Sequence, residues 1–240
     1  LASATVNDPV TAYEYFLHFE TRRASKTISC EQTPRYLYFT EEILEAFSDS
    51  VVINMVRDPR DILLSQKNKW RRRSLGAKSV PMIEALRSWV NYHPYTISRL
   101  WTSAVRIAAR QNKHPRFITI SFESLLLDPE GTVKSICHFA EIDYEPCMLD
   151  VPQVGSSTCE DRLDKIGINS SRIAVWKNGG LTSTELSICE GVCGNAMTEL
   201  GYILESKGTY RVQKSISMIS FFVKSIFALL LNLNRTSNLR

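Results

Sequence analysis

Between Val51 and Ser65 the chain reads VVINMVRDPRDILLS, and this stretch restricts the fold more than any other. An apolar run rich in β-branched residues ends at Arg57. Asp58 and Pro59 interrupt it, and a helical pattern follows through Ser65. Proline is excluded from strand and helix interiors but suits the first helical position, and aspartate suits the cap before it. The expected unit is a buried strand, a tight turn and a helix start. It sets a guanidinium at the strand's end and a hydroxyl about two helical turns further on. The planar fork of an arginine matches the oxygens of a phosphate, so the corner can hold one. A surface pair between Arg57 and Asp58 is the structural alternative.

Other punctuation divides the rest of the chain. Asp8-Pro9 reads as a cap and first position for a helix through Arg22, and Thr40 as the cap of a helix that begins with Glu41 and Glu42. Thr27 to Cys30 reads as a short strand. Pro81 to Gln111 reads as one helical region broken at Pro94, with Trp89, Tyr92, Ile97, Leu100, Trp101 and Val105 toward a core. Phe117 to Phe122 is a second buried strand, and Asp128-Pro129 opens a helix to about Ala140. Residues 159–178 lack periodicity and read as a long loop. Thr182 and Glu185 fit a capping box, with Gly201 as the stop. Strands alternating with helices imply an α/β fold with a mostly parallel sheet, in which ligands sit at the carboxyl ends of strands. Arg57 lies at such an end.

Charge and cysteine usage exclude some classes. A net charge of +4 over 240 residues does not point to nucleic acid. The basic residues cluster nonetheless: Lys67, Lys69, Arg71, Arg72, Arg73 and Lys78 follow the corner closely, as a solvated face or as an electrostatic funnel toward an anion. The six cysteines include no CxxC pair and no Cys/His grouping at zinc spacing, so buried free thiols and no metal are expected. The tail from Ile216 to Leu233 is apolar. Its polar Ser217, Ser220, Lys224 and Asn232, with small Ala228, fall on one helical stripe. Its length approaches a membrane span of about 20 residues, but Lys224 near its middle disfavours one. A helix lying in a membrane interface is expected, with a helix docked on protein as the alternative. A cytoplasmic or membrane-peripheral place follows from this reading. The expected domains are residues 1–205 and a helical tail, 206–240.

The segment Arg57-Asp58-Pro59-Arg60-Asp61 with Ser65 resembles the 3′-phosphate-binding segment of sulfotransferases, which use 3′-phosphoadenosine-5′-phosphosulfate (PAPS). The resemblance implies a P-loop-like three-layer fold and assigns the 3′-phosphate to Arg57 and Ser65. Cys30-Glu31-Gln32-Thr33-Pro34 is similar to the segment that carries the general base in carbohydrate sulfotransferases. This implies Glu31 as the base, with Gln32 where a lysine is usual. Phe117 to Pro129 resembles the family's strand ending in Tyr-Glu-Asp-Leu. Phe122 keeps the aromatic ring there and loses the hydroxyl. Asn169, Ser170, Ser171 and Arg172, before Trp176, match a late loop that closes over the nucleotide, and are implied contacts with its phosphate.

The family also needs a glycine-containing loop that cradles the 5′-phosphosulfate. The first glycine of this chain is Gly76, so no segment of residues 1–50 supplies that loop. The expectation is therefore a family domain lacking its first strand and loop, beginning inside a longer protein. Alone, it would bind the adenosine 3′-phosphate weakly and not turn over. The implied reaction is sulfuryl transfer from PAPS to an acceptor hydroxyl; an anionic carbohydrate is favoured, with lipid, protein tyrosine and small molecules open beside it. A phosphoryl-transferring P-loop enzyme and a non-catalytic nucleotide- or polyanion-binding module stay open beside it.

Overall fold

In the computed structural model, Asp8, Asp58, Asp128 and Thr182 cap helices through their side chains. The structure describes residues 8–75, 77, 80–157, 160–206 and 211–236; Gly76, Lys78 and Cys159 lie outside them. The chain divides into two units, residues 1–52 and 53–240.

In the first unit Asp8 caps helix α1 (Pro9–Arg23), accepting from the backbone N–H groups of Val10 at 2.8 Å and Thr11 at 3.3 Å. Thr27–Cys30 is exposed and irregular instead of a strand. A 3-10 turn (Pro34–Phe39) leads into helix α2 (Thr40–Ala46). Thr40 is not the cap expected of it. It lies inside the helix, and its hydroxyl donates back to the Leu37 carbonyl at 2.9 Å, an alternative open to any threonine near a helix start. The Tyr13 ring packs edge-on against Tyr36 and Phe47.

Strand β1 (Val52–Val56) leads into the second unit. There follow α3 (Pro59–Asn68), a 3-10 stretch (Lys69–Leu75), α4 (Met82–Asn91), α5 (Pro94–Gln111), β2 (Phe117–Ser121), α6 (Phe122–Leu127) and α7 (Pro129–Phe139). The fold is α/β and mostly helical, with a small parallel sheet made by β1 and β2. The Asn54 side-chain amide donates to the Thr119 hydroxyl at 3.3 Å across that pair. β1 is not buried on both faces as expected, because Ile53 and Met55 are exposed.

The break before Pro94 falls where the proline ring forbids helical backbone. His93 is extended (φ −148°, ψ 136°), and α5 restarts at the proline itself. Beyond α7, strands β3 (Pro152–Gln153) and β4 (Arg162–Ile166) form an antiparallel pair, and β4 lies inside the segment expected to be loop. Every residue of β4 is exposed, so no apolar alternation marks it in the sequence. Helix α8 (Ser183–Glu199) has the full capping box, Thr182 with Glu185. It ends before Gly201, whose φ of 82° is left-handed.

The core lies among α3, α5 and α8. Leu63, Cys189, Cys193 and Met197 are fully buried there, with Trp101 and Tyr92 beside them. Trp89 and Leu100 do not join it; both are about half exposed. Buried thiols were expected and Cys137, Cys189 and Cys193 fit, whereas Cys30 and Cys147 are exposed. Gly180 is required by close approach: a Cβ there would lie 2.7 Å from a Leu64 methyl.

A buried ionic cluster joins the start of α3 to α8. Arg60 is 3% exposed. Its guanidinium pairs with Asp58 at 2.7 Å and Glu190 at 2.8 Å, donates to the Ile203 carbonyl at 2.8 Å, and lies 4.1 Å from the Trp176 ring. Glu190 also accepts from the amides of Glu205 and Ser206. Every member has a partner, as buried charge demands. Burial alone would raise the Glu190 pKa. The two amides, the Ser206 hydroxyl and Arg60 outweigh it, and hold the carboxyl below its ordinary value of 4.5.

Two measurements check this cluster. Arg60→Ala leaves two buried carboxylates without their cation and should cost about 3–5 kcal/mol in urea unfolding. A carboxylate with a depressed folded pKa stabilises fully above its unfolded value and loses that contribution as pH falls through the folded one. The stability gap between wild type and Glu190→Gln should therefore shrink as pH falls from neutral to below 4.5.

Candidate functional site

The corner after β1 is built so that Arg57 cannot drift. Its carbonyl accepts from the indole N–H of Trp101 on α5 at 2.9 Å. The next amide, of Asp58, donates to Glu123 on α6 at 2.9 Å. Glu123 is held in turn by the hydroxyls of Tyr202 and Ser121, both at 2.9 Å. Asp58 caps α3 through the Arg60 amide at 2.8 Å and gives its charge to the Arg60 side chain. The surface Arg57–Asp58 pair is thereby ruled out: Asp58 is buried, and its partner lies two residues on.

The Arg57 side chain is one-quarter exposed. Its guanidinium lies 4.4 Å from the centre of the Phe122 ring. One terminal nitrogen donates to the Arg172 carbonyl at 2.7 Å and stands 3.4 Å from Asp61. That Asp61 oxygen, Oδ2, makes an ion-pair contact without hydrogen-bond alignment, and among the described residues it has no hydrogen-bond donor. The other Asp61 oxygen accepts from the Trp176 amide at 2.9 Å. Burial pushes the Asp61 carboxyl above its usual value, with the Trp176 amide and Arg57 opposing. Among the described residues the buried Arg57 Nε has no hydrogen-bond partner.

Three of the sequence candidates thus converge: Arg57, Phe122 and Arg172. Phe122 begins α6 instead of ending β2, which turns its ring under the guanidinium. Asn169 caps a 3-10 turn (Ser170–Arg172) by accepting from the Ser171 amide at 3.0 Å. Ser170 and Ser171 lie on that turn, and Ser171 is exposed. Ala174, just beyond, is left-handed at φ 52°, a cost of about 1–2 kcal/mol for a residue with a Cβ.

Ser65 meets a partner the sequence does not announce. Its hydroxyl is 2.9 Å from that of Ser157, and Ser157 also donates to the Ser65 carbonyl at 2.8 Å. Ser157 belongs to the segment between β3 and β4, which Arg72 fastens down. Arg72 donates to the Ser156 carbonyl and pairs with both oxygens of Asp161 at 2.8 and 3.0 Å. Arg172 reaches the Ser156 hydroxyl. Asp161 also accepts from the Gly155 amide. Beside this strap a cavity of about 360 Å³ is lined by Gln153, Glu160, Arg162, Lys165, Asn169 and Arg172. Asn169 and Arg172 therefore face a common space with two further cations.

The basic cluster divides on inspection. Lys67 bonds the Gly180 carbonyl and Glu185, both at 2.8 Å, and so belongs to the start of α8. Arg72 holds the strap, and Arg73 donates to the Val80 carbonyl at 2.6 Å. Lys69 and Arg71 are exposed. In the first unit Glu31 is exposed on the approach to the 3-10 turn, and accepts from the Thr33 hydroxyl at 2.5 Å.

The sulfotransferase family profile matches residues 4–146 of this chain. The chain belongs to the sulfotransferase family. Glu31, Arg57, Ser65 and Phe122 lie inside the matched residues; Asn169 to Arg172 lie beyond them. Relatives include sulfotransferase 2A6 of Rattus norvegicus, 30% identical over 43% of this chain and 36% of its own. Sulfotransferase 2A1 of Macaca fascicularis is 27% identical over 58% of this chain and 50% of its own. The chain thus spans half or less of these relatives' lengths. Among solved structures, the sulfotransferase domain from the curacin biosynthetic pathway aligns with a TM-score of 0.54 over 82% of this chain and 69% of its own, at 19% identity. The sulfotransferase domain of the Synechococcus PCC 7002 olefin synthase aligns with a TM-score of 0.50, over 82% of this chain and 65% of its own, at 16% identity. These two likenesses concern the fold.

The strap between β3 and β4 depends on one carboxylate. Asp161→Ala should speed amide hydrogen exchange at Gly155 by about tenfold or more, while exchange in α5 and α8 stays unchanged. Equal protection at that amide would show that the strap is held by other contacts.

Proposed function

We propose that this protein serves sulfuryl transfer from PAPS to an acceptor hydroxyl, with Arg57 and Ser65 holding the 3′-phosphate and Glu31 removing the acceptor proton. The observation that carries the reading is the state of Arg57. Its backbone is clamped on both sides, its face rests on Phe122, and its buried Nε has no partner among the described residues. A buried donor left open in this way fits an anion, since an unmet donor costs about 1–3 kcal/mol. Ser65 follows Arg57 on the helix that starts at this corner, and its hydroxyl would have to exchange its bond with Ser157 for one to the phosphate.

PAPS, when bound, would supply the sulfuryl group and an adenosine bisphosphate leaving group. The chain's own groups have simpler tasks. Arg57 fixes the nucleotide by its 3′-phosphate. Phe122 keeps water from one face of that guanidinium, which strengthens the charge-assisted bonds it makes. Ser170, Ser171 and Asn169 close the late turn beside it. The Glu31 carboxylate takes the proton from the acceptor hydroxyl. The cavity with Arg162, Lys165 and Arg172 fits an anionic acceptor, and the Glu31–Pro34 segment favours a carbohydrate. A P-loop-like three-layer organisation belongs to this reading, in line with the alignment to sulfotransferase domains. The polyanion-binding alternative is weakened, because Lys67 and Arg72 are engaged within the protein.

Calorimetric titration with adenosine 3′,5′-bisphosphate tests the nucleotide half. Arg57→Ala should weaken binding about tenfold or more, the scale of one charge-assisted bond, and Ser65→Ala should weaken it less. Unchanged affinity in Arg57→Ala would sink the assignment. The chemical half is separable. In a chain that also carries the 5′-phosphosulfate loop, Glu31→Gln should leave nucleotide affinity alone and slow sulfation by about 10²- to 10⁴-fold, the range for losing a general base.

A further inference from the structure

The last helix, α9 (Arg211–Thr236), has two unlike faces. One is settled on the protein. The Lys224 ammonium lies 4.9 Å from the centre of the Trp89 ring and 5.8 Å from that of Tyr92, and reaches the Tyr92 carbonyl at 3.4 Å. Arg87 on α4 donates to the Leu231 carbonyl through two nitrogens, at 3.1 and 3.2 Å. Phe221 packs on His93 and Tyr95. These contacts, spread along the helix, fix its roll as well as its position.

The opposite face is apolar and open. Ile219, Phe222, Ile226, Phe227, Leu229 and Leu230 are each 57–65% exposed. At about 100° per residue they share one broad side of the helix, away from Phe221, Lys224 and Leu231. A contiguous apolar patch of this kind marks an interaction surface. Charge identifies its occupant. From Ser206 to Arg240 the sequence holds Lys207, Arg211, Lys214, Lys224, Arg235 and Arg240 and not one Asp or Glu. In the sequence, the apolar stretch is therefore flanked on both sides by cations alone. No helix among the described residues is long and apolar enough to cross a membrane. Lys224, in the middle, is already docked on aromatic rings and gains nothing from crossing one.

We infer that α9 docks the protein on an anionic lipid surface, lying flat with Phe222, Ile226 and Leu229 in the acyl boundary and its flanking arginines and lysines at the headgroups. Lys224 acts as the pin that holds the apolar face outward. A helix with one apolar side and cationic ends binds in the interface plane, and its affinity rises with anionic lipid. The inference stands apart from the nucleotide site.

Flotation of the whole chain with vesicles tests it. Phosphatidylcholine vesicles containing about 30% phosphatidylserine should bind about tenfold or more tightly than phosphatidylcholine alone, with the difference lost in high salt. The double variant Phe222→Glu with Phe227→Glu should lose vesicle binding and keep its affinity for adenosine 3′,5′-bisphosphate. Because both side chains are exposed, its circular dichroism spectrum should match wild type. Hydrogen exchange on the wild-type chain should show new protection in α9 when vesicles are added, a readout independent of any variant. Three results would each overturn the inference: no binding to the anionic vesicles, equal binding by the double variant, or a dimer in sedimentation that Phe222→Glu dissolves in a chain that ignores lipid.

Discussion

The Arg60 guanidinium, almost sealed from water, is the interaction on which the rest of the second unit depends. A buried cation is tolerable only where carboxylates and carbonyls surround it, and each of its partners comes from elsewhere. Asp58 is the cap of α3, Glu190 lies in the middle of α8, and Ile203 lies past the end of that helix. Trp176 covers the plane of the charge. Satisfying one side chain therefore draws the corner, the last helix of the core and the late segment together. The cluster specifies an arrangement more than it adds stability, since the attraction within it largely offsets the desolvation of its members.

That arrangement is what exposes Arg57. The two arginines stand three residues apart at the start of one helix and meet opposite ends. Arg60 points inward and is consumed by the protein. Arg57 sits at the strand's end with its main chain fixed by Trp101 and Glu123, and its side chain only partly engaged. The neighbours that complete the corner, Phe122, Ser157 and Arg172, come from three separate stretches of chain. They meet because Asp61 holds the Trp176 amide and Arg72 holds the strap. The same economy governs α9, where one lysine among aromatic rings decides which side of the helix looks outward.

Much of this was legible in local chemistry. Asp8-Pro9, Asp58-Pro59, Asp128-Pro129 and Thr182 with Glu185 mark helix starts because caps and first-turn prolines act within a few residues. The break at Pro94 follows from one ring and its clash. What failed did so for stated reasons. Strand β4 is exposed throughout and carries no alternation. Thr40 resembles a cap but bonds backward. Trp89 and Leu100 have the spacing of core residues, yet one lines the seat of Lys224 and the other is left in solvent. The roles of Lys67 and Arg72 as structural cations were invisible, since their partners lie roughly a hundred residues away in Glu185 and Asp161.

The Val51–Ser65 stretch alone determined that a strand would turn into a helix with a guanidinium at the corner, because strand, proline turn and cap are short-range matters of backbone geometry. It determined the family in the same way, through a motif whose spacing is local. Only the tertiary structure decided which arginine is buried, that Phe122 lies under Arg57, that Ser65 faces Ser157, and that Lys224 of the tail is docked. Those outcomes depend on desolvation and on charge pairing between distant segments. Neither has a magnitude until the fold has set which groups lose their water.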